Sequence, residues 1–589
     1  PVFVVDGVLI DNSYTGSSNE VGGVDLSSRA VDINPDDIET VNVLKGAAAT
    51  ALYGLNASAG AIVITTKKGR RDGSTNVNYS YTMGIDEVNK LPELQNSYSQ
   101  GDGGKYYDSK STRSRSWGAL IDTLRYDGAT TNPWNKAGNI VGMSNAAGKT
   151  AVTPFDNLNS FFQTGGTQQH SLNVSSGNSN GAYYFSITDF RQTGIVPNSS
   201  FDRTALRLNS DYSLYSNLKI SANAQYIRSG GQKIQKGSNT SGVMLGLLRT
   251  TPTFDNTNGS SDPSNDESAY MFANGLPRGY RGTSASGTSI YDNPFWTVNK
   301  NRFLDRTERF IGGVQLDYFP ENWFGKDIFG DFSATYRIGG DFYNTRNRGE
   351  YAIYSSNTPT GKVTDDDIRS QQINSELLFN FNKKLTDDWD LGLVLGSQIF
   401  ESFGRSFSAV GDGLTIPNFY NQSNATSQTA FESQAQLRRL GMFMQASLSY
   451  QDMLFINGSL RNEYSTSLPS DNDNFLNYNA SVSFVLSEAL KMDKEGALSF
   501  AKLRLSQSQI GSDAPIYSLT TPYTRTIHGD GWVNNNLTYP LNGAAGFAKA
   551  AALGNNGLKP ETRVETEVGT ELRFFADAIG LDLTYYTTV

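Results

Sequence analysis

The chain has no cysteine among its 589 residues and only two histidines, His170 and His528. Disulfides and thiolate chemistry are therefore excluded. Two histidines so far apart offer no paired ligand spacing and no triad partner, so histidine-based metal and nucleophilic chemistry fall away as well. No apolar run reaches the roughly 18 residues that a membrane-crossing helix needs. Clustered positive charge is also scarce. Lys+Arg number 49 against 58 Asp+Glu, the formal net charge is -9, and the one basic run is "KKGRR" at 67–71. A nucleic-acid partner would require a basic stripe to neutralise phosphates, so nucleic acid is not an expected partner. The short run reads as a solvated turn or a positive site at a membrane surface. The acidic stretches "TDDD" (364–367) and "DPSNDE" (262–267) are expected in loops, and neither has the residue order of an EF-hand. No cofactor, no metal and no enzymatic chemistry are expected.

What the chain has in quantity is aromatic and small polar residues, with 30 Tyr and 32 Phe, arranged with a period of two. In "ALRLNSDYSL", Leu206, Leu208, Tyr212 and Leu214 share one face, while Arg207, Asn209, Asp211 and Ser213 share the other. "NLKISANAQYI" repeats the pattern after a turn at 215–217, which predicts a hairpin. The same alternation runs through Phe332–Ile338, Met442–Tyr450 and Leu476–Leu486. About fifteen such runs follow one another, many as long as the roughly 9–11 residues of a tilted bilayer-crossing strand. Short turns near 215–217, 383–388, 451–453 and 576–580 alternate with long irregular segments near 88–166, 229–305, 402–432 and 510–558. That asymmetry is expected of a transmembrane barrel with short periplasmic turns and long extracellular loops. A soluble all-β enzyme or adhesin would show the same alternation strand by strand.

The first 69 residues differ. Asn34-Pro35 opens a turn, 40–45 reads as a brief strand, "GAAATALY" as a short helix stopped by Gly54, and "AIVITTKKG" as a buried strand, with "PVFVVDG" as a further strand before them. "GLNASAG" lacks both the Walker Lys-Ser/Thr and a G-x-G-x-x-G spacing, so no nucleotide loop is assigned.

"PVFVVDGVLI", "INPDDIETVNVLKGAAATALYG" and "AGAIVITTKKG" together resemble the plug domain of TonB-dependent outer-membrane transporters, in particular the SusC/RagA-type branch. The residues that carry the resemblance are Asp6, Gly7, Asn34, Pro35, Asp37, Ile38, Lys45, Gly46, Tyr53, Gly54, Gly60, Thr65, Thr66, Lys67, Lys68 and Gly69. Stretches such as "FFQTGGTQQHSLNVSSG" and "NNGLKPETRVETEVGTELRFF" are similar to barrel strands of the same branch. The resemblance implies a mainly β protein: a large antiparallel transmembrane β-barrel of about 22 strands when complete, with a small α/β plug inside it. On this reading residues 1–69 are the C-terminal part of the plug and 70–589 a truncated barrel. The N-terminus, the TonB-contacting segment and the last strands are expected to lie outside this chain.

The implied function is TonB-dependent import of an oligosaccharide or peptide across the bacterial outer membrane, under a SusD-like lipoprotein lid. A barrel of the same fold serving as a structural subunit of a larger outer-membrane assembly is the alternative. Leu55-Asn56 stands where relatives often carry a basic residue, which puts a plug–wall ion pair there in doubt. For ligand contact the loop aromatics Trp134, Tyr280, Trp296, Tyr420 and Trp532 are the candidates, because aromatic faces stack on sugar rings or hold peptide side chains. Trp296 is the least secure, since "DNPFW" lies close to a strand.

Overall fold

The structure, a computed structural model, describes residues 1–13, 23–44, 53–145, 150–237, 242–282, 291–320, 330–525, 527–528, 537–539 and 541–589. Near the N-terminus β1 (Val2–Val5) and β2 (Val8–Ile10) form a hairpin. Its two turn residues, Asp6 and Gly7, have φ of 49° and 85°, the left-handed pair that a two-residue turn between twisted strands demands and that Asp-Gly supplies. β3 (Ile38–Leu44) and β4 (Ala61–Thr66) complete a four-stranded sheet in the order β2-β1-β4-β3. β1 runs parallel to β4, but β3 and β4 are antiparallel, so the 40–66 stretch is not a doubly wound crossover. The helix expected over 46–53 lies outside the described residues except for Tyr53. A 3-10 turn at Pro35–Asp37 is capped by Asn34, whose side chain accepts from the Asp36 N–H, as the Asn-Pro pair predicts.

A second, fifteen-stranded antiparallel sheet follows in sequence order. It opens with β5 (Thr75–Asp86), β6 (Gly165–Gly177), β7 (Gly181–Thr193), β8 (Ser200–Tyr215) and β9 (Leu218–Lys233). It continues through β10 (Arg302–Tyr318), β11 (Asp331–Ser355), β12 (Thr358–Lys384), β13 (Trp389–Leu414) and β14 (Ala425–Tyr450). β15 (Leu454–Ser465), β16 (Asn474–Val485), β17 (Leu498–Ser512), β18 (Glu561–Phe574) and β19 (Ile579–Thr588) end it. β5 and β19 are its edges. The hairpin expected at 206–226 is present as β8–β9, with Leu206 opposite Tyr226.

The two faces of this wall are inverted relative to a water-soluble sheet. On β8, Leu208 is 48% exposed and Tyr212 47%, whereas the intervening Arg207 is 3% exposed and Asn209 6%. Presenting leucine and burying arginine is costly in water and favourable when hydrocarbon lies outside and a polar filling inside. The outward positions of β11 define the height of the apolar band. Phe332, Ala334, Tyr336, Ile338, Gly340 and Phe342 precede Asn344, Arg346 and Arg348. At about 3.3 Å per residue and a tilt near 40°, that band is about 25 Å tall. Aromatic pairs mark its short-turn end, Phe332 with Phe381 at 4.9 Å and Trp389 with Tyr450 at 4.7 Å between ring centroids. At the other end Tyr226, Phe310 and Phe342 lie side by side in register, with Phe403 two strands further on, beyond Gln371.

Two expectations are corrected here. Residues 402–432 are mostly strand: β13 and β14 project beyond the band and are joined only through 415–424. The acidic run 364–367 likewise lies inside β12, where Arg348 on the neighbouring strand pairs with Asp365 at 2.9 Å and Arg346 with Asp367 at 3.4 Å. Above the band the outer face of a strand no longer meets hydrocarbon while inward residues such as Thr345 and Asn347 stay buried, so apolar alternation stops while backbone pairing continues, and the sequence there reads as loop.

Candidate functional site: the interface of the N-terminal unit with the wall

The N-terminal unit lies against the polar, concave face of the wall and contacts every strand from β6 to β15. Three clusters of charge-assisted hydrogen bonds hold it. In the first, Asp36 accepts from Gln169 at 2.7 Å and Ser171 at 2.6 Å. Next to it Asp37 accepts from Tyr184 at 3.0 Å and Ser186 at 2.6 Å, while Asn34 donates to Asp37 and Thr188. Arg203 donates to the carbonyls of Val31 and Ile33.

In the second, Asp6 accepts from the Thr66 backbone and hydroxyl and forms a 3.0 Å ion pair with buried Arg207. Asn209 donates to Thr66 Oγ1 and to the Lys67 carbonyl. The third is the most deeply buried. Arg309 is bidentate to Asp341, at 2.8 and 2.7 Å, and ion-paired with Asp32 at 3.0 Å, all with fully buried side chains. Asp341 also accepts from the Asp11 N–H, and Arg309 donates to the Asp11 and Arg29 carbonyls.

Backbone recognition completes the seating. Asn374 on β12 accepts from the Leu9 N–H and donates to the Gly7 carbonyl, both at 3.3 Å. Val8 enters a glycine-floored depression, where a Cβ on Gly339 would lie 2.6 Å from Val8 Cγ2 and one on Gly313 3.2 Å away. Gly54, with φ of 64°, approaches Glu463 and Arg461 so closely that a Cβ would overlap Glu463 Oε1. The adjacent Leu55 N–H donates to Glu463 at 3.0 Å, and Asn56 accepts from Arg439. Leu55-Asn56 thus meets the wall through hydrogen bonds of neutral groups to charged wall residues, not through the ion pair that was in doubt there. A cavity of about 350 Å³ remains between the unit and β8–β11, lined in part by Asp6, Tyr53, Lys68, Asp211, Lys219 and Arg337.

The structure brings most of the signature residues to this interface. Asp6, Gly7, Asn34, Asp37, Gly54 and Thr66 touch wall side chains directly. Pro35 starts the capped turn and Ile38 is packed beside buried Ile64 and Ile227. Thr65 pairs with Thr40 across the sheet, and Gly60, with φ of 92°, donates its N–H to the Ala57 carbonyl. Lys67 donates from Nζ to the Asp36 carbonyl, Lys68 lines the cavity, and a Cβ at Gly69 would meet the Tyr183 backbone. Lys45 and Gly46 lie outside the described residues. Sequence reading missed the wall partners Arg203, Arg207, Arg309, Asp341, Asn374 and Glu463 as functional residues. The available signal was an arginine or acid on the polar face of an alternating strand, but nothing in one strand tells which of its polar residues meets the unit.

The loop aromatics separate into different environments. Trp296 is 2% exposed, in the short helix α1 (Pro294–Lys300), packed with Leu158, Phe161, Leu247 and Tyr270, its Nε1 donating to Ser355. It is a core residue of the loop cap and is corrected as a ligand candidate. Tyr280 is also buried, stacked on Tyr291 at 5.9 Å, in the same cluster as half-buried Trp134, over whose ring Lys110 sits at 5.5 Å. Tyr420 is apart, donating to the Lys300 carbonyl, and Trp532 lies outside the described residues.

The cap carries one titratable device. Asp292 is buried, accepts from the Ser356 N–H at the β11–β12 tip at 2.9 Å, and leaves Oδ2 without a partner among the described residues. Burial pushes its carboxyl up to about 7. A folded-state value above the unfolded one gives stability that is complete below the ordinary carboxylate range and lost as pH rises through about 7. Docking of the 291–301 segment on the tip should thus weaken by up to about 4 kcal/mol between pH 4 and 7. Asp292→Asn should abolish that dependence. Hydrogen exchange of this segment between pH 5 and 8, corrected for intrinsic rates, checks it; identical pH profiles for the two proteins would refute it.

Comparison with known proteins fits this architecture. Residues 247–588 match the family model described as TonB dependent receptor-like, beta-barrel, and residues 1–61 match that of the TonB-dependent Receptor Plug Domain. The chain is 23% identical to the TonB-dependent receptor SusC of Bacteroides thetaiotaomicron, across 92% of this chain and 50% of that protein. It is 22% identical to the TonB-dependent receptor P26 of Formosa agariphila, across 100% of this chain and 52% of that one. The chain thus spans about half the length of the curated relatives it matches. Among solved structures it resembles the RagAB peptide importer in its closed-closed state, with a TM-score of 0.71 and 18% identity over 100% of this chain and 61% of that one. The open-open state gives a TM-score of 0.67 at 19% identity, over 100% of this chain and 60% of that one.

Proposed function

The chain belongs to the TonB-dependent receptor family, and from that premise we propose that it serves the TonB-dependent import of a bulky nutrient, an oligosaccharide or peptide, across the bacterial outer membrane. A SusD-like surface lipoprotein closes over the loop side, and TonB supplies the force that displaces the plug. The observation that carries this reading is the polarity of the interface between plug and wall. Apolar contact there is gathered in patches such as Val5, Val8 and Ile10 with Ala205, Ile227 and Ile311, and Val4 and Leu9 with Phe400, while buried hydrogen bonds and ion pairs join the two units along the rest of the seam. Such an interface exchanges its partners for water when it opens, whereas an exposed apolar core has no such replacement. A seal of this kind is strong when shut and re-forms when force is removed, which is what a gated pore requires.

The test exploits the absence of cysteine. Asp36→Cys with Ser171→Cys, joined by a short thiol-specific cross-linker, ties plug to wall where their side chains now meet. Cells carrying the tethered protein should lose uptake of labelled oligosaccharide or peptide while the uncoupled double variant retains it. Unchanged phenotype with complete cross-linking would favour the structural-subunit reading instead.

A further inference from the structure

The long-loop side of the wall carries a second cavity, of about 470 Å³, which shares no lining residue with the one beside the plug. Its volume is that of an ordinary ligand pocket. Buried Leu158, Leu247 and Thr250 form its floor, and exposed Glu93, Asn96 and Asp156 stand on its rim. The walls are braced. The Phe155 N–H donates to the Pro252 carbonyl at 2.8 Å, while Asn157 accepts from the Asn256 N–H at 2.9 Å and donates to the Phe254 carbonyl at 2.8 Å. Among the described residues no lysine, arginine or histidine lines the cavity. Glu93 and Asn96 make no side-chain hydrogen bond among the described residues. A pocket with two carboxylates and no cation repels an anionic ligand and leaves acceptors open to hydroxyl donors.

Beside the cavity two aromatic rings face outward. Trp117 is 61% exposed, and its ring centroid lies 5.4 Å from that of Tyr98, with the planes at 55°. Gln95, a lining residue of the cavity, holds both. Its Nε2 donates to the carbonyls of Tyr98 at 2.9 Å and Ser116 at 3.3 Å, and its Oε1 accepts from the Tyr98 N–H at 2.9 Å. The Trp117 N–H donates to the Gly101 carbonyl at 3.0 Å, and the Gly104 N–H donates to the Trp117 carbonyl at 3.3 Å. On the other side the Gln100 N–H donates to Thr253 Oγ1 at 3.4 Å, next to the lining residue Pro252. The indole is thus displayed by a braced ribbon and cannot fold down onto apolar neighbours without breaking these bonds. An aromatic face held in water forgoes burial that a stacked ligand would restore.

We propose that the cavity and the two rings form a subsite for a neutral oligosaccharide, whose chain runs from a sugar ring stacked on Trp117 into the cavity. A sugar ring has an apolar C–H face and a girdle of hydroxyls. The indole takes the first, and Glu93, Asn96 and Asp156 accept from the second, the carboxylates through charge-assisted bonds. The same carboxylates disfavour uronic-acid and sulfated chains. The inference rests on the import reading and narrows its substrate class from oligosaccharide or peptide to neutral oligosaccharide.

The test is retention of the labelled full chain, in detergent micelles, on an array of neutral, uronic-acid and sulfated oligosaccharides and of basic peptides. The wild type should be retained on neutral chains and not on anionic ones. Trp117→Ala should lower that retention about ten-fold, the worth of one stacked ring, and Trp117→Tyr should restore most of it. Glu93→Gln with Asp156→Asn should weaken neutral binding less than it relaxes the exclusion of uronic-acid chains. Failure of the wild type to hold any neutral oligosaccharide, or retention undiminished in Trp117→Ala, overturns the proposal. Retention on basic peptides that depends on Glu93 and Asp156 but not on Trp117 also overturns it, in favour of a peptide site. Because retention needs no transport, a protein that holds neutral chains but supports no uptake sinks the import reading alone.

Discussion

Replacing Arg309 with alanine should unseat the plug. The guanidinium is completely buried between Asp32 of the plug and Asp341 of the wall, with a bidentate bond to the latter. Its removal takes the cation from between Asp341 and Asp32, leaving Asp32 only its 3.4 Å ion pair with Arg29, and losing one partner of a buried ionic group costs about 3–5 kcal/mol. That energy is concentrated at a single seam, because Arg309 also donates to the Asp11 and Arg29 carbonyls. The expected result is a folded wall with a loosened plug: trypsin cleavage within residues 1–69 of the membrane-embedded protein, and large ion conductance in planar bilayers. Arg309→Lys keeps the charge but not the planar fork, and should give an intermediate leak. If Arg309→Ala is as protease-resistant and as electrically silent as the wild type, the cluster does not hold the plug.

The second large effect is steric, and its sign opposes local propensity. Gly339→Val puts a β-branched residue into a strand, which ordinarily favours the strand. Here the new Cβ would lie 2.6 Å from Val8 Cγ2, a contact that forces the plug hairpin out of its depression at about 1–3 kcal/mol. Asn374 would then lose its hold on Gly7 and Leu9. Conductance should rise in Gly339→Val and fall back towards the wild type when Val8→Ala is added, because the second change removes the methyl groups in conflict. Additive effects of the two substitutions would show that the residues do not meet.

Both predictions concern residues that sequence reading left unassigned as functional, and the reason is the same. Alternation along β8 assigns Arg207 and Asn209 to the polar face, and alternation along β10 would do the same for Arg309. It does not say what fills the space that face encloses. Arg309 and Asp32 are separated by 277 positions, and no local pattern announces such a pair. In the loops the failure ran the other way. Trp296 carries a recognisable helix start in Asn293-Pro294, with Asn293 capping Phe295, yet its burial depends on Leu158, Leu247 and Tyr270 arriving from remote segments.

The sequence by itself determined the wall and the division of its faces. Side chains along a strand alternate sides by covalent geometry, so the order of leucine and arginine already separates an apolar face from a polar one. It also marked the plug, through Asp-Gly, Asn-Pro and the small residues that allow close approach. Only the tertiary structure decided which polar residues lock plug to wall, how far the strands rise beyond the apolar band, and which aromatics are core. Those are matters of distance between parts of the chain hundreds of residues apart, and a carboxylate becomes a latch only when folding removes water from it and brings a guanidinium to within about 3 Å.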